Sequence, residues 1–389
     1  VTMKRGISGR YETVSVGGER VRAFIPAHLP PQPPVEMTGP RQHLLEQAQL
    51  SLGRLDSATL LLPEPDIFLY AYVRREAVLS SQIEGTQSSL ADLMLFELDE
   101  IPGVPFDDVA EVSNYVAALN LGMDRLQAGR PLTNRLLREM HAVLLKSGRG
   151  STRMAGEFRS SQNWIGGTRP GNAHFVPPPP HRVPECMAAL ERFFHDPEVP
   201  YPSVVKAALA HVQFETIHPF LDGNGRIGRL LISFLLHHDG VLSRPLLYLS
   251  LYFKQHRSEY YRLLDAVRTA GAWEEWLDFF LEGVRETASN AVQTAQRLVA
   301  LFQQDQARVQ AAGRSVSSAL RVLDALCHRP VLSLSEACRR TGLSFPTTAK
   351  CMQGLVALGI ARELTGKRRS RLYLYDAYLA ILQEGAEPL

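Results

Sequence analysis

His218-Pro219-Phe220-Leu221-Asp222-Gly223-Asn224-Gly225-Arg226-Ile227-Gly228-Arg229 decides how this chain is read. Before it, Val205, Ala208, Leu209 and Val212 form one apolar stripe, and Ala207, Ala210, Phe214 and Ile217 form another. Two stripes predict a central, buried helix from Ser203. Pro219 forces the residue before it out of helical geometry, so that helix stops near His218. After it, Ile227, Leu230, Leu231, Phe234 and Leu235 predict a second buried helix, opening after Gly225 and ended by Gly240. The free amides at that helix start carry partial positive charge and suit phosphate. Gly223 and Gly225 let the backbone approach an anion or adopt positive φ. Arg226 and Arg229 are three apart and project from one face, away from the apolar stripe. Asp222 beside phosphates is a natural Mg²⁺ ligand, since Mg²⁺ takes oxygen donors. His218, at a helix end, is suited to general-base work near neutral pH. A plain helical joint would explain a bare Gly-Asn-Gly-Arg, but not all of these polar residues beside an apolar helix pair.

The string resembles the signature of Fic (Fido) domain proteins, His-Pro-Phe-x-(Asp/Glu)-Gly-Asn-Gly-Arg-x-x-Arg, at every specified position. The resemblance implies an ATP- and Mg²⁺-using protein adenylyltransferase. His218 would deprotonate a Ser, Thr or Tyr hydroxyl of a target protein, or of the enzyme itself, for attack on the α-phosphate. Asp222 would hold Mg²⁺, and Gly223, Asn224 and Gly225 would form the anion hole. Arg226 would help bind the phosphates and Arg229 would meet the γ-phosphate. The implied nucleotide-binding set is Glu84, His218, Gly223, Asn224, Gly225, Arg226, Ile227, Gly228, Arg229 and Tyr260. A kinase-like branch similar to the Doc toxins carries Lys where this chain has Gly225, which favours nucleotidyl transfer here. The phosphocholine-transferring branch is rare, and the motif alone does not separate it.

Upstream, Ser80-Ser81-Gln82-Ile83-Glu84-Gly85 closes a helix predicted from about Asp66, with Gly85 as its C-cap. Ser80 and Glu84 share a face at i, i+4. Beside the main motif this resembles the family's inhibitory motif, (Ser/Thr)-x-x-x-Glu-(Gly/Asn). It implies that Glu84 pairs with Arg229 and takes the γ-phosphate position, so that bound ATP is misaligned. Some similar proteins also remove AMP from targets. Gly156 to Arg159 and Asn163-Trp164-Ile165-Gly166 look like the family's flap hairpin, with Asn163–Ile165 and Phe175–Val176 as two short strands. A free edge there would dock a target segment by strand addition; the plainer alternative is a surface hairpin in which Trp164 seals the core. Tyr260 fits the adenine-contacting tyrosine, with Tyr261 its adjacent competitor. His211 is expected to be packed rather than catalytic.

The chain's 389 residues exceed one core, and 45% apolar with 21% charged is ordinary for a globular protein. Helical patterning from Arg41 onward gives a mainly α fold; the resemblance implies a Fic helical core with a small β-hairpin flap, and the tail reads as a C-terminal winged helix-turn-helix. The expected division is an N-terminal arm and helical region over 1–130, with Pro26 to Pro40 as linker or wrapping arm. A catalytic core over 131–286, a linker helix over 287–313 and the winged helix over 314–389 follow. In that tail, three short helices precede strands Ile360–Leu364 and Arg371–Tyr375, the order of a winged helix. From residue 315 onward the net charge is +4, against −2 for the remainder. Lys367, Arg368, Arg369 and Arg371 in the wing suit DNA phosphates, and Thr347, Thr348, Lys350 and Gln353 lie on the recognition helix. Use of the module for dimerisation or target docking is the alternative. A DNA-binding regulator with a nucleotide-sensing core is therefore the competing reading. The four cysteines share no paired spacing, and no HExxH or Cys/His cluster predicts zinc. No apolar run reaches membrane-spanning length and no secretory leader is visible, so a cytoplasmic protein is expected; the order of helical region, Fic core and winged-helix tail resembles a bacterial Fic class.

Overall fold

Gly9–Val16 (β1) and Glu19–Pro26 (β2) pair antiparallel about Gly17 and Gly18, both at positive φ. The computed structural model describes residues 5–61, 64–98, 105–148, 153–313, 316–366 and 371–387. Helices follow the hairpin: α1 (Pro40–Leu61), α2 (Pro65–Ile83), α3 (Leu90–Phe96), α4 (Phe106–Gln127) and α5 (Asn134–Leu144). After a long irregular stretch come α6 (Val183–His195), α7 (Ser203–Ile217), α8 (Asn224–His238), α9 (Ser250–Gln255), α10 (Arg257–Ala270) and α11 (Trp273–Ala311). The last segment holds α12 (Val316–His328), β3 (Val331–Ser333), α13 (Leu334–Thr341) and α14 (Phe345–Ala357). It ends with β4 (Arg362–Glu363), β5 (Leu372–Leu374) and α15 (Asp376–Gln383). Among the described residues no helix is long and apolar enough to cross a membrane. All four cysteines are free thiols.

The chain gathers into two compact units, residues 1–53 with 113–288 and residues 54–112 with 289–389. The segment 1–130 thus contributes to both. In the first unit, every residue of α7 from Val204 to Ile217 is buried except Lys206, as its two apolar stripes require. It packs against α6, α8 and α10. Gly228 permits the α7–α8 approach, since a Cβ there would lie 2.3 Å from Glu215 Oε1. Trp276 donates its indole N–H to the Ala208 carbonyl (3.0 Å), and Phe253 stacks on Tyr260 at 4.5 Å. The Pro-rich arm meets α11's start through Glu36 N–H, which donates to Glu274 (3.3 Å), while the flanking Arg5 and Arg41 pair with Glu274 and Asp278. Val35 N–H donates to Tyr201 Oη (2.8 Å).

In the second unit, α12, α13 and α14 pack on one another and a three-stranded sheet of order β3-β5-β4 completes a winged helix. Strand β3 and helix α15 are additions to the elements read from sequence. Tyr375, Tyr378 and Phe302 pack together, and Tyr375 Oη donates to Asp305 (2.6 Å). The C-terminal turn reaches α2: Arg75 donates to the Glu384 carbonyl (2.7 Å) and Gln82 Nε2 to the Ala386 carbonyl (3.1 Å).

Candidate functional site

Helix α7 ends as Pro219 demands, and His218 itself is the left-handed cap at φ 49, ψ 60. Its amide donates to the Phe214 carbonyl (2.9 Å). A side chain with a Cβ pays about 1–2 kcal/mol to sit there, and such strain persists only where surrounding contacts over-determine it. Helix α8 opens at Asn224, two residues before the expected start after Gly225. Its N-cap is Gly223 at φ 75, which offers no side-chain cap to the first amides. Those amides therefore remain available to an external anion.

Asn224 works as a staple for the turn. Its Oδ1 accepts from Phe220 N–H and its Nδ2 donates to the Phe220 carbonyl, both at 2.8 Å. The side chain is thus spent on backbone, and Asn224 offers a ligand its amide. Arg226 and Arg229, expected on one face of α8 away from the apolar stripe, are both buried. Residues outside α8 cover the face that the stripe leaves polar. Asp222 is 42% exposed; its Oδ1 accepts from Gly223 N–H (2.6 Å) and lies 3.6 Å from Arg226 Nη2. Its Oδ2 has no protein partner among the described residues. A solvent-facing carboxylate beside a glycine-capped helix start is of a kind that suits Mg²⁺, which takes oxygen donors and keeps several waters.

Two residues that the sequence reading did not single out hold this turn. His141, fully buried on α5, accepts Gly156 N–H at Nδ1 (2.8 Å) and donates from Nε2 to the Asp222 carbonyl (2.9 Å). Its ring stacks on Phe220 at 3.7 Å. Burial pushes its pKa down to about 4, so the ring is neutral at pH 7. Arg159 donates from Nε to the His218 carbonyl (2.8 Å). Both partners are backbone carbonyls, which leave no periodicity or motif to read. The one signal at hand was local, a His amid the apolar pattern of α5; Arg159 stands among Glu157, Ser160 and Ser161 and gave none.

The flap lies beside the turn. Asn163 Nδ2 reaches the Phe220 and Leu221 carbonyls at 3.4 and 3.3 Å, and Gly166 takes positive φ. Two strands were expected; one bridge forms, Ile165 with Phe175, because Gly166, Gly167 and the following turn leave too few extended residues. Trp164 is 36% exposed, so it does not seal the core.

Tyr260 is 1% exposed and its hydroxyl meets His211 Nε2 at 2.9 Å, whereas Tyr261 is 43% exposed. The buried ring is part of the core beside Phe253, and Tyr261 is the accessible member of the pair. His211 is fully buried, donates from Nδ1 to the Gly228 carbonyl (2.8 Å), and is pushed by burial to about pKa 3.

Glu84 and Ser80 belong to the second unit. Helix α2 ends at Ile83, Glu84 is its exposed C-cap, and Gly85 takes φ 97. Ser80 is fully buried, so the pair does not share an environment. Gln82 Nε2 donates to the Ser88 carbonyl (3.0 Å) and fixes the chain beyond Glu84. On the winged helix, Lys350 and Gln353 are exposed and Thr347 half-buried, but Thr348 is fully buried. Thr348 faces the core of the three helices and cannot read a groove. Arg371 lies 3.7 Å from Glu363, and Lys367, Arg368 and Arg369 fall outside the described residues.

Residues 42–124 match the Fic/DOC family N-terminal domain, 131–236 the Fic/DOC family, and 315–364 the IclR helix-turn-helix domain. The chain is 41% identical over 71 residues to a probable protein adenylyltransferase of Aquifex aeolicus, covering 18% of this chain and 22% of that one. It is 32% identical over 185 residues to the protein adenylyltransferase Fic of Drosophila ananassae, covering 47% of this chain and 34% of that one. The alignments thus span about a third or less of these curated relatives. A crystal structure of a Fic family protein from Desulfovibrio desulfuricans shares the fold with a TM-score of 0.58 at 21% identity. It covers 89% of this chain and 98% of that one. A Fic domain containing signaling protein from Bacteroides thetaiotaomicron follows at TM-score 0.52 and 22% identity, covering 65% and 97%.

Proposed function

We propose that this chain, which carries the N-terminal and core domains of the Fic/DOC family, is a protein adenylyltransferase restrained by its own Glu84. It moves AMP from ATP to a Ser, Thr or Tyr hydroxyl of a target protein and of itself. One observation carries the reading: a strained left-handed cap presents His218 immediately before a glycine-capped helix start that bears two buried arginines. Strain of this kind is kept where a side chain must be aimed. The names of the relatives support ATP as donor and a protein as acceptor.

His218 takes the proton of the acceptor hydroxyl. The hydroxyl oxygen bonds to the α-phosphorus, the bond to the bridging oxygen breaks, and pyrophosphate leaves with the electron pair. The amides opening α8 and the guanidiniums of Arg226 and Arg229 stabilise phosphate charge that is already in place when the reaction starts. Mg²⁺ held by Asp222 supplies charge neutralisation on the phosphates when bound. The flap residues Asn163 to Gly166 hold the target segment so that its hydroxyl stands beside His218. Glu84 competes for Arg229 and for the place of the γ-phosphate, and ATP bound in its presence is turned away from in-line attack.

Incubation with α-labelled and γ-labelled ATP, followed by mass spectrometry of the chain, tests the reading. Protein-bound label from the α-position, at AMP mass, is expected. Label from the γ-position alone overturns it in favour of a kinase.

The match of residues 315–364 to an IclR helix-turn-helix favours a second activity, DNA binding through residues 314–389. His218→Ala separates the two: AMP transfer is lost and DNA retention is kept. Neutralising Lys367, Arg368, Arg369 and Arg371 gives the reverse. A homodimer and removal of AMP from modified targets belong to the same proposal, read by light scattering and by release of label from modified protein.

A further inference from the structure

Arg159 is a buried cation that the reaction above does not use. It is 2% exposed, and its guanidinium bonds run to backbone carbonyls. Nε donates to His218 (2.8 Å), Nη2 to Pro178 (2.5 Å) and less closely to Ile217 (3.4 Å), and Nη1 to Ser161 (3.4 Å). Its own amide donates to the Pro219 carbonyl (2.9 Å). No carboxylate pairs with it among the described residues. Burial pushes its pKa down to about 10, which still leaves it charged at neutral pH.

Burying a cation without a counter-ion is unfavourable by several kcal/mol. An apolar side chain of similar volume would stabilise a mere core position better. What the guanidinium provides is a rigid planar fork whose donors point in fixed directions. Here they fall on consecutive carbonyls of residues 217 and 218, while the Arg159 amide takes that of 219. Those are the peptide groups on both sides of the strained cap at φ 49. The same fork ties the cap to Ser161 and Pro178, at the two ends of the flap.

We propose that Arg159 is the positioning residue of the transfer reaction, fixing the left-handed peptide that aims the His218 imidazole and registering it to the flap. The inference rests on the AMP-transfer reading. A lysine keeps the charge but has no fork, and a misplacement of about 1 Å at a reacting group costs about 10²-fold in rate. The nucleotide contacts through α8 are untouched.

The test uses the full chain with Glu84→Gly, alone and combined with Arg159→Lys. The expected result is a fall of about 10²-fold in kcat per nucleotide-binding molecule, with KM for ATP within about twofold. In ¹⁵N-histidine-labelled protein the His218 ring signals, assigned through His218→Ala, are expected to shift while those of His211 and His195 stay. Should Arg159→Lys fail to fold, Arg159→Gln, which retains an N–H donor, carries the same measurements. Unmoved His218 signals, or moved signals with unchanged kcat, overturn the proposal. A purely packing role would lower Tm and the folded fraction while kcat per folded molecule held. If the Glu84→Gly chain with Arg159 intact transfers no AMP, the functional reading fails, and the His218 signals alone decide whether Arg159 positions that ring.

Discussion

The residue that leaves α7 in the left-handed conformation is His218, at φ 49, whereas the one that leaves α13 is Gly342, at φ 63. Both joints are helix–turn–helix, and both need that conformation to reverse the chain. The winged helix meets the need with glycine, at almost no conformational cost. The α7–α8 joint meets it with a histidine; Arg159 holds the carbonyl of that strained residue and His141 the turn beyond it. The second helices differ in the same sense. Asn224, Arg226 and Ile227 at the start of α8 are buried, while Phe345 at the start of α14 is 58% exposed. One joint turns its polar groups inward at the helix start; the other leaves its helix start at the surface.

The largest expected contrast is in chemistry. His218→Ala should lower AMP transfer by about 10³-fold or more, as loss of a general base does with much of the positioning intact. Gly342→Ala should leave the rate within about twofold. Equal losses in a labelled-ATP assay would erase the distinction between the joints.

Release of the restraint comes next. Glu84→Gly should raise auto-modification by about tenfold or more, equivalent to about 1.4 kcal/mol of barrier. Glu97→Gly, which removes an ion pair with Arg74 on the same α2 helix, should not raise it. An unchanged rate in Glu84→Gly would remove the inhibitory role.

Acid should act on the first unit before the second. His141 and His211 are held neutral by burial, at about pKa 4 and about 3, below the ordinary 6.5. The unfolded chain therefore binds their protons first as pH falls. The stability they carry is complete above about pH 6.5 and is lost progressively toward pH 4, on the order of 3 kcal/mol for His141 alone. Protonated Nδ1 of His141 can no longer accept from Gly156, so turn and flap loosen together. The second unit's sole histidine, His328, is not fully buried. Hydrogen exchange at pH 7 and pH 5 should show protection lost in α7 and α8 ahead of α12 and α14; the reverse order would break the comparison.

The smallest contrast is between the two turn glycines. Gly342→Ala has only the left-handed strain to meet, about 1–2 kcal/mol, with Arg321 Nη2 at 3.6 Å as its nearest neighbour. Gly223→Ala meets the same strain and also places its Cβ 3.2 Å from Leu144 Cδ2. Urea unfolding should therefore show Gly223→Ala as the more destabilised by a few tenths of a kcal/mol to about 1 kcal/mol.

What was legible in the sequence follows the same division. The two buried helices and their turn could be read because Pro219, the glycines and the apolar stripes act locally. The winged helix was legible for the same reason. The hairpin β1–β2 was not, since its outward residues mix Arg10, Glu12 and Arg22 without clear alternation. Strand β3 and helix α15 escaped because each is short and held by partners far away in sequence. Thr348 was misjudged as a surface reader, because membership of α14 does not say which of its faces the other two helices cover. Arg159 and His141 stayed hidden for a further reason: their partners are main-chain carbonyls, the same for every residue type.

The strained cap also sets selection for stability against selection for activity. A glycine at position 218 would relieve the left-handed penalty and raise Tm by a few degrees for a unit of this size. It would do so by deleting the imidazole. A screen of random variants for heat resistance alone, with no assay of AMP transfer, should thus enrich His218→Gly and His218→Asn. The position that most resists thermal improvement in an active enzyme is the one such a screen would alter first.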